Sequence, residues 1–415
     1  MKIGHLSYYD GHVPLLIHLN LKKNTKVDSR LFVIKKSSEH SETTNFSTNL
    51  IVNFIKEKLS SFIKFFFKSR YMTSSAAIFT SGWKNFFNKS NFDLVNLFWI
   101  NRETISISEI GEIKKPIVWT LCDMWAFCGG ENFALNKRYI NGYRKNNKPS
   151  YELGFDFNKW LWLRKKKNWN NKNINIIAPN KWMADCAKKS KLMKKFNIKV
   201  IPWPVDTNFW KPLNKNLCKN YFKLNNNTKY LLLIISYAEF DWKGGDLFLD
   251  SLNFLQDMNN KFEIILVGNP SVRYKKLLNT YNFRVIDFGF VSNQKELRKI
   301  YNISELIIIP SRIDNLPLKS LEASSCGVPI VCFDIGGMTD LVIHKKNGWL
   351  AKSFESEDLA CGIREILTKK HVHLQMSNFS RKNVIKKFKN QIVISQYVDF
   401  YKEILNKQSQ KKIYI

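Results

Sequence analysis

The chain has 415 residues, too many for one ordinary hydrophobic core, so two domains of roughly 150–200 residues are expected. Hydrophobic residues at 44% and charged residues at 24% exclude a disordered chain, and no run approaches the roughly 18 consecutive apolar residues of a membrane span. Sixty-six Lys and Arg face 34 Asp and Glu, but they are spread along the chain among asparagines and isoleucines, as a compositional bias spreads them, and no nucleic-acid motif accompanies them.

The first ten residues, MKIGHLSYYD, read as a strand and lack the features of a secretory signal, so the expected location is the cytoplasm. The glycine-poor stretch YYDGHVPLL follows, with Gly11 its single glycine. Further β-branched or apolar runs stand at 29–34, 93–100, 116–121, 174–179 and 198–203. Between them, residues 55–72 place Leu59, Phe62, Ile63 and Phe66 on one helical face with Lys56, Lys64, Lys68 and Arg70 around it. That pattern suits a helix lying on an anionic membrane surface; an internal core helix is the alternative. Asp123 precedes MWAF and reads either as a helix N-cap or as a cleft residue, and the tryptophans at 160, 162 and 169 read as core packing.

Residues 206–229 are polar, prolyl and rich in asparagine, as expected of a hinge followed by a small helix. A second set of apolar runs follows at 229–236, 262–268, 283–289, 305–311 and 329–334, with helical patterns at 246–257, 293–303 and 317–325. Near-continuous apolar runs alternating with helices predict parallel strands buried on both faces, hence two doubly wound domains. A last helix over 381–406 carries Tyr397, Phe400, Tyr401, Ile404 and Leu405 on one stripe and is expected to cross back. The boundaries read are 1–205, 206–385 and 386–415. Seven scattered cysteines without a CxxC pair suit reduced thiols, and HVH at 371–373 is expected on a solvated helix or loop; no metal site is expected.

In open α/β domains ligands bind beyond the carboxyl ends of the strands. The strand ending at residue 311 leads into a loop with Asp314, and then into a helix from about 317 whose free N–H groups and dipole favour phosphate. Glu322 falls about one turn into that helix. The two acids could reach different parts of one ligand, or Asp314 could cap the helix while Glu322 faces water; spacing alone leaves both open.

The stretch SRIDNLPLKSLEASSCGVPIVCFDIGGMTDLVIHKKNGWLA (311–351) resembles the donor-binding signature of family 4 (group 1) retaining glycosyltransferases. The stretches at 93–101, 115–133, 138–169, 178–193, 201–212 and 241–252 resemble one bacterial polysaccharide- or lipopolysaccharide-assembly branch of that family. The resemblance implies an α/β GT-B fold, two Rossmann-like domains facing a cleft, with the acceptor on residues 1–205 and a nucleotide-diphosphate sugar on 206–385. By position, Asp314 would hold the donor sugar, Glu322 the ribose and Lys243 the leaving diphosphate. Backbone groups of Leu316 and Leu318 would face phosphate or sugar, those near Val291 the base, and Gly336 and Gly337 would form the adjoining loop. Lys243 and Asp314 are thereby catalytic candidates with Asp123, and no cofactor or obligatory metal is implied.

Three positions depart from the pattern. Cys122 stands where the family has His, no arginine accompanies Lys243 in 236–246, leaving Arg312 as the candidate substitute, and Gly11 alone represents the glycine turn. Cys122 and Gly11 are the acceptor-side candidates. The expected reaction is transfer of a sugar to a saccharide, in particular a lipid-linked one, by a protein peripheral on the cytoplasmic face of the inner membrane. Its rivals are a nucleotide-sugar-binding pseudoenzyme, a nucleotide-sugar epimerase and a basic nucleic-acid-binding protein.

Overall fold

Residues 1–36, 43–45, 55–56, 58–60, 75–152, 154–236 and 241–413 are described in a computed structural model, so most of the 55–72 stretch lies outside the described residues. The chain divides into two units: Met1–Pro204 with Gln391–Ile415, and Val205–Asn390.

The first unit is built on the apolar runs of the first half. Its strands are β1 (Lys2–Tyr9), β2 (Asp28–Lys35), β3 (Thr43–Asn45), β4 (Leu94–Leu97), β5 (Ile117–Thr120), β6 (Ile174–Ala178) and β7 (Asn197–Val200). They form one sheet in the order β3-β2-β1-β4-β5-β6-β7, with every pair parallel. All residues of β4, β5 and β6 are buried, as helices covering both faces of a parallel sheet require. The strand order reverses direction between β1 and β4, so loops after those strands splay apart and leave a crevice at the carboxyl edge. Trp162 and Trp169 are core residues as expected, and Trp160, half-buried, packs against the same core.

The C-terminal helical stripe is used in this unit. Val393, Ile394, Tyr397, Phe400, Tyr401 and Ile404 are buried, and the Tyr401 hydroxyl accepts a hydrogen bond from Asn96 Nδ2 on β4 at 2.7 Å. The single helix expected over 381–406 is two helices, Lys370–Phe388 and Asn390–Ile413. Lys389 between them is extended, at φ −56° and ψ 137°, and bridges Val205. The apolar periodicity runs on through this break, which is why the sequence pattern does not show it.

The second unit contains β8 (Tyr230–Ile234), β9 (Glu263–Val267), β10 (Val285–Gly289), β11 (Leu306–Ile309), β12 (Ile330–Phe333) and β13 (Gly348–Ala351). They too are parallel throughout, in the order β10-β9-β8-β11-β12-β13, with the switch point between β8 and β11. The chain is therefore α/β with two doubly wound, Rossmann-like parallel-sheet units. The short strands β3 and β13 were not among the runs expected from the sequence, because three or four residues flanked by polar neighbours carry no period. All seven cysteines are free thiols.

Candidate active site

In the second unit the carboxyl ends of β8, β9 and β11 surround a cavity of about 290 Å³ at the switch point. Ile234 and Ile235, Val267 and Gly268, and Ile309 through Ser311 bring those strand ends to it; Lys243, Val291 and Asp314 complete the polar and outer walls. Gly268 has φ +122°, and a Cβ there would stand 2.3 Å from the Ile235 carbonyl oxygen, so only glycine allows these two strand ends to approach.

Asp314 does not cap the following helix, Leu318–Ser325, whose N-cap is Pro317 without a side-chain bond. Its Oδ2 faces Lys243 Nζ at 3.3 Å and accepts from Ser311 Oγ at 3.4 Å, while Oδ1 accepts from the Asn315 N–H at 2.9 Å. The double-glycine loop fixes its backbone: the Gly337 N–H donates to the Asp314 carbonyl at 3.0 Å, and a Cβ on Gly336 (φ +55°) would lie 2.3 Å from that oxygen. Lys243 also lies over its neighbour's Trp242 ring, 4.1 Å from the centroid.

Glu322 does not face water. It is 5% exposed, and its Oε2 accepts from the Tyr301 hydroxyl at 2.8 Å and from Lys319 Nζ at 3.1 Å. Burial, reinforced by this carboxylate, holds the Tyr301 hydroxyl well above its ordinary pKa, so it stays a donor. Leu316 is buried beneath the loop, and Leu318 opens the helix half-buried. Arg312 forms a bidentate pair with Asp246, at 2.7 and 2.5 Å, on the helix that follows Lys243.

In the first unit the carboxyl edge carries Asp123 after β5. Residues 124–128 form a turn rather than the helix its N-cap reading required, with the Cys128 N–H on the Met124 carbonyl. Asp123 Oδ1 accepts from the Trp125 N–H at 2.9 Å; Oδ2 accepts from Trp99 Nε1 at 2.9 Å and Asn101 Nδ2 at 3.0 Å, both on the loop after β4. Burial outweighs these donors and lifts its carboxyl to a pKa of about 6. Trp99 stacks on Tyr9 from the end of β1, with centroids 5.7 Å apart and planes 11° apart. The Cys122 Sγ contacts the Thr120 carbonyl at 3.8 Å, and burial pushes its thiol far up, so it is neutral. Gly11 precedes the helix His12–Asn24, and a Cβ there would meet only Tyr9 Cβ at 3.8 Å, which leaves the turn sterically open.

Residues 219–383 match the family described as glycosyl transferases group 1. That segment contains Lys243, Val291, Asp314, Glu322 and the double-glycine loop. The chain is 26% identical over 152 residues to the N-acetyl-alpha-D-glucosaminyl L-malate synthase of Bacillus anthracis, covering 36% of this chain and 40% of that one. It is 24% identical over 186 residues to the N,N'-diacetylbacillosaminyl-diphospho-undecaprenol alpha-1,3-N-acetylgalactosaminyltransferase of Campylobacter jejuni, covering 44% of this chain and 47% of that one. The matches thus span about half the length of these curated relatives or less. Over the whole chain, the solved structure of HepE from Anabaena in complex with UDP-glucose superposes with a TM-score of 0.66, 16% identity and coverage of 97% of this chain and 100% of that one. This likeness is one of fold, the two-Rossmann-unit GT-B architecture of glycosyltransferases.

Lys165 escaped the sequence reading. It is fully buried, and its Nζ donates to the carbonyls of Trp125, Cys128 (3.2 Å) and Gly129 (2.7 Å), with the Trp125 ring centroid 3.5 Å away. It thereby closes the turn that carries Asp123. Burial lowers its pKa to about 7, with Cys128, Glu131 and Asp123 pulling the other way. In the run RKKKNW it is one lysine among several, and only its inward face on the helix distinguishes it.

Proposed function

We propose that the chain is a glycosyltransferase that moves a sugar from a nucleotide-diphosphate sugar to a saccharide acceptor. One observation carries this reading: within the segment that matches group 1 glycosyl transferases, Lys243 and Asp314 face each other across the wall of a cavity at the sheet's switch point. A cation and a carboxylate beside a helix start suit a ligand that is anionic at one end and hydroxylated at the other.

In this reading Lys243 takes the diphosphate, exchanging Asp314 for phosphate oxygens, and the N–H groups at the start of Leu318–Ser325 add positive potential. Asp314, released from Lys243, accepts from sugar hydroxyls. Glu322 keeps Oε2 on Tyr301 and Lys319 and offers Oε1 to the ribose, while backbone groups near Val291 meet the base. Lys243 and the helix-start amides supply the electrostatic role a metal would otherwise play. Arg312 acts through Asp246, buttressing the Lys243 loop. The acceptor lies on the first unit, beside Asp123 and the Tyr9–Trp99 pair. HepE's ligand makes UDP the first nucleotide to try, and the Campylobacter relative's name makes a diphospholipid-linked saccharide the first acceptor. Retention of configuration follows the family resemblance.

A second reading is favoured by the neutral Cys122 beside Asp123: a protein that binds the nucleotide sugar and transfers nothing. Melting the chain with UDP, GDP, ADP and their sugars tests the donor site, since a ligand at 100 times its Kd adds about 2.7 kcal/mol and shifts the melt by several degrees. One nucleotide is expected to stand out, with its shift abolished in Glu322→Ala, and Asp314→Ala is expected to keep the nucleotide's shift but lose preference for its sugar. Equal shifts in parent and both variants would remove the assignment. Donor binding with no transfer to any lipid-linked or free saccharide would select the second reading.

A further inference from the structure

The run RKKK at 164–167 sets four cations side by side on the helix Phe157–Trp169, and the buried face of that helix takes only Lys165 of them. A buried ammonium is costly unless its charge is matched, and an apolar side chain could ordinarily fill the place as well. Among the described residues no carboxylate lies in hydrogen-bond reach of Lys165; its three bonds go to the carbonyls of Trp125, Cys128 and Gly129. Three acceptors match the three N–H donors of an ammonium. A neutral amine has only two and would turn its lone pair on one of these oxygens. The face of the Trp125 ring, 3.5 Å from Nζ, favours the same charged form. The turn is built around a cation.

Trp125 joins that cation to Asp123. Its N–H donates to Asp123 Oδ1 at 2.9 Å, its carbonyl and ring face Lys165, and its indole N–H donates to the Ser75 carbonyl at 2.8 Å. The far end of the turn is tied down too. The Gly129 N–H donates to the Tyr143 hydroxyl at 2.8 Å, and a Cβ on Gly129 would stand 2.6 Å from the Asn158 carbonyl of the Lys165 helix. Lys165 therefore fixes a donor of Asp123, and its charge draws the Asp123 carboxyl down against the burial that raises it. Asp123's other hydrogen-bond donors, Trp99 and Asn101, are uncharged. The remaining titratable groups around the turn are Cys122, Cys128, Tyr143 and Glu131. Burial holds both thiols and the Tyr143 hydroxyl up, so they are neutral. Glu131 is also buried and raised, and accepts from Tyr143 at 3.1 Å.

We propose that Lys165 is a positioning residue of the acceptor edge: its ammonium holds the turn 124–130 and keeps the Asp123 carboxylate ionised. What Asp123 does for an acceptor rests on the sugar-transfer reading; the state of its carboxyl does not. In that reading an ionised Asp123 accepts from an acceptor hydroxyl, whereas a protonated one presents a competing donor.

The test uses the Trp99 indole N–H, which donates to Asp123 Oδ2 at 2.9 Å and reports on that carboxyl without any substrate. Its nitrogen–proton magnetic resonance signal in the full chain, identified by its loss in Trp99→Phe, is followed across the pH range in which the chain stays folded. The parent's signal is expected to titrate with a midpoint of about 6, and that of Asp123→Asn not at all. Lys165→Met removes charge and donors together, whereas Lys165→Gln removes the charge and keeps N–H donors for the turn. Both are expected to move the midpoint to higher pH, because the carboxylate loses its cation. Midpoints equal to the parent's in both variants overturn the proposal. Failure of both variants to fold also overturns it, since Lys165 would then serve the core alone. Shifted midpoints in a chain whose melt no nucleotide raises would count against the sugar-transfer reading and leave the hold on Asp123 in place. A nucleotide-raised melt with unmoved midpoints would do the reverse.

Discussion

Asp314 owes its place to the groups around its carboxylate, not to the helix behind it. Capping by Asp314 and solvation of Glu322 were reasonable from spacing, since an acid before a helix and an acid within one are common in both roles. The structure decides otherwise because Lys243, 71 positions away in sequence, and Tyr301 come into hydrogen-bond reach. Asp123 shows the same effect from the other side: three donors converge on it, two of them from the loop after β4. Its carboxyl, lifted to about 6 by burial, is protonated below that pH and charged above it. Transfer to acceptor is therefore expected to rise from acid to neutral pH with a midpoint of about 6. In Asp123→Asn the rate should be low and flat over that range, while the nucleotide-induced melting shift is unchanged. A pH profile identical to the parent's would exclude Asp123 from the acceptor step.

At the scale of elements, the candidate donor site is a junction of loops after parallel strands, and glycines set how closely they meet. Gly244 is the sharpest case. It has φ +65° at the start of the helix Gly245–Asn253, and a Cβ would stand 1.9 Å from the Pro310 carbonyl after β11. Gly244→Ala must both adopt a left-handed backbone, at about 1–2 kcal/mol, and push the Lys243 loop away from β11. A melting temperature lowered by several degrees and at least a tenfold weaker nucleotide affinity are expected by calorimetry. An affinity equal to the parent's would show that this loop does not contact the ligand. The motif KGGD marked the loop in the sequence; the carbonyl that makes its first glycine obligatory belongs to another strand and could not be read there.

At the scale of the molecule, the first unit is discontinuous: its fold needs residues 391–415 from beyond the whole second unit. Six apolar side chains from that segment are buried in it, Val393, Ile394, Tyr397, Phe400, Tyr401 and Ile404, and burying each is worth about 1.5–3 kcal/mol. Their sum is comparable to the whole stability of an ordinary domain, about 5–15 kcal/mol. A chain ending at Asn390 should therefore lose the first unit's cooperative melt. Limited proteolysis should degrade residues 1–204 and spare a fragment close to 205–390. Equal protection of both parts would mean that the last helix adds little to the first unit.

How much was legible follows from what each signal depends on. Runs of Ile, Leu and Val separated by helical periods determined the parallel strands and the division in two, because a strand buried on both faces must be apolar along its length. The acid pair, KGGD and the double glycine marked the candidate donor site, because backbone approach and charge at a helix start demand those residue types locally. The break at Lys389, the inward Lys165 and the partners of Asp314, Glu322 and Asp123 were decided only by the tertiary structure. Each depends on which distant strand or loop lies alongside, and a lysine, glutamate or aspartate looks the same in sequence whether its neighbours are carbonyls, cations or water.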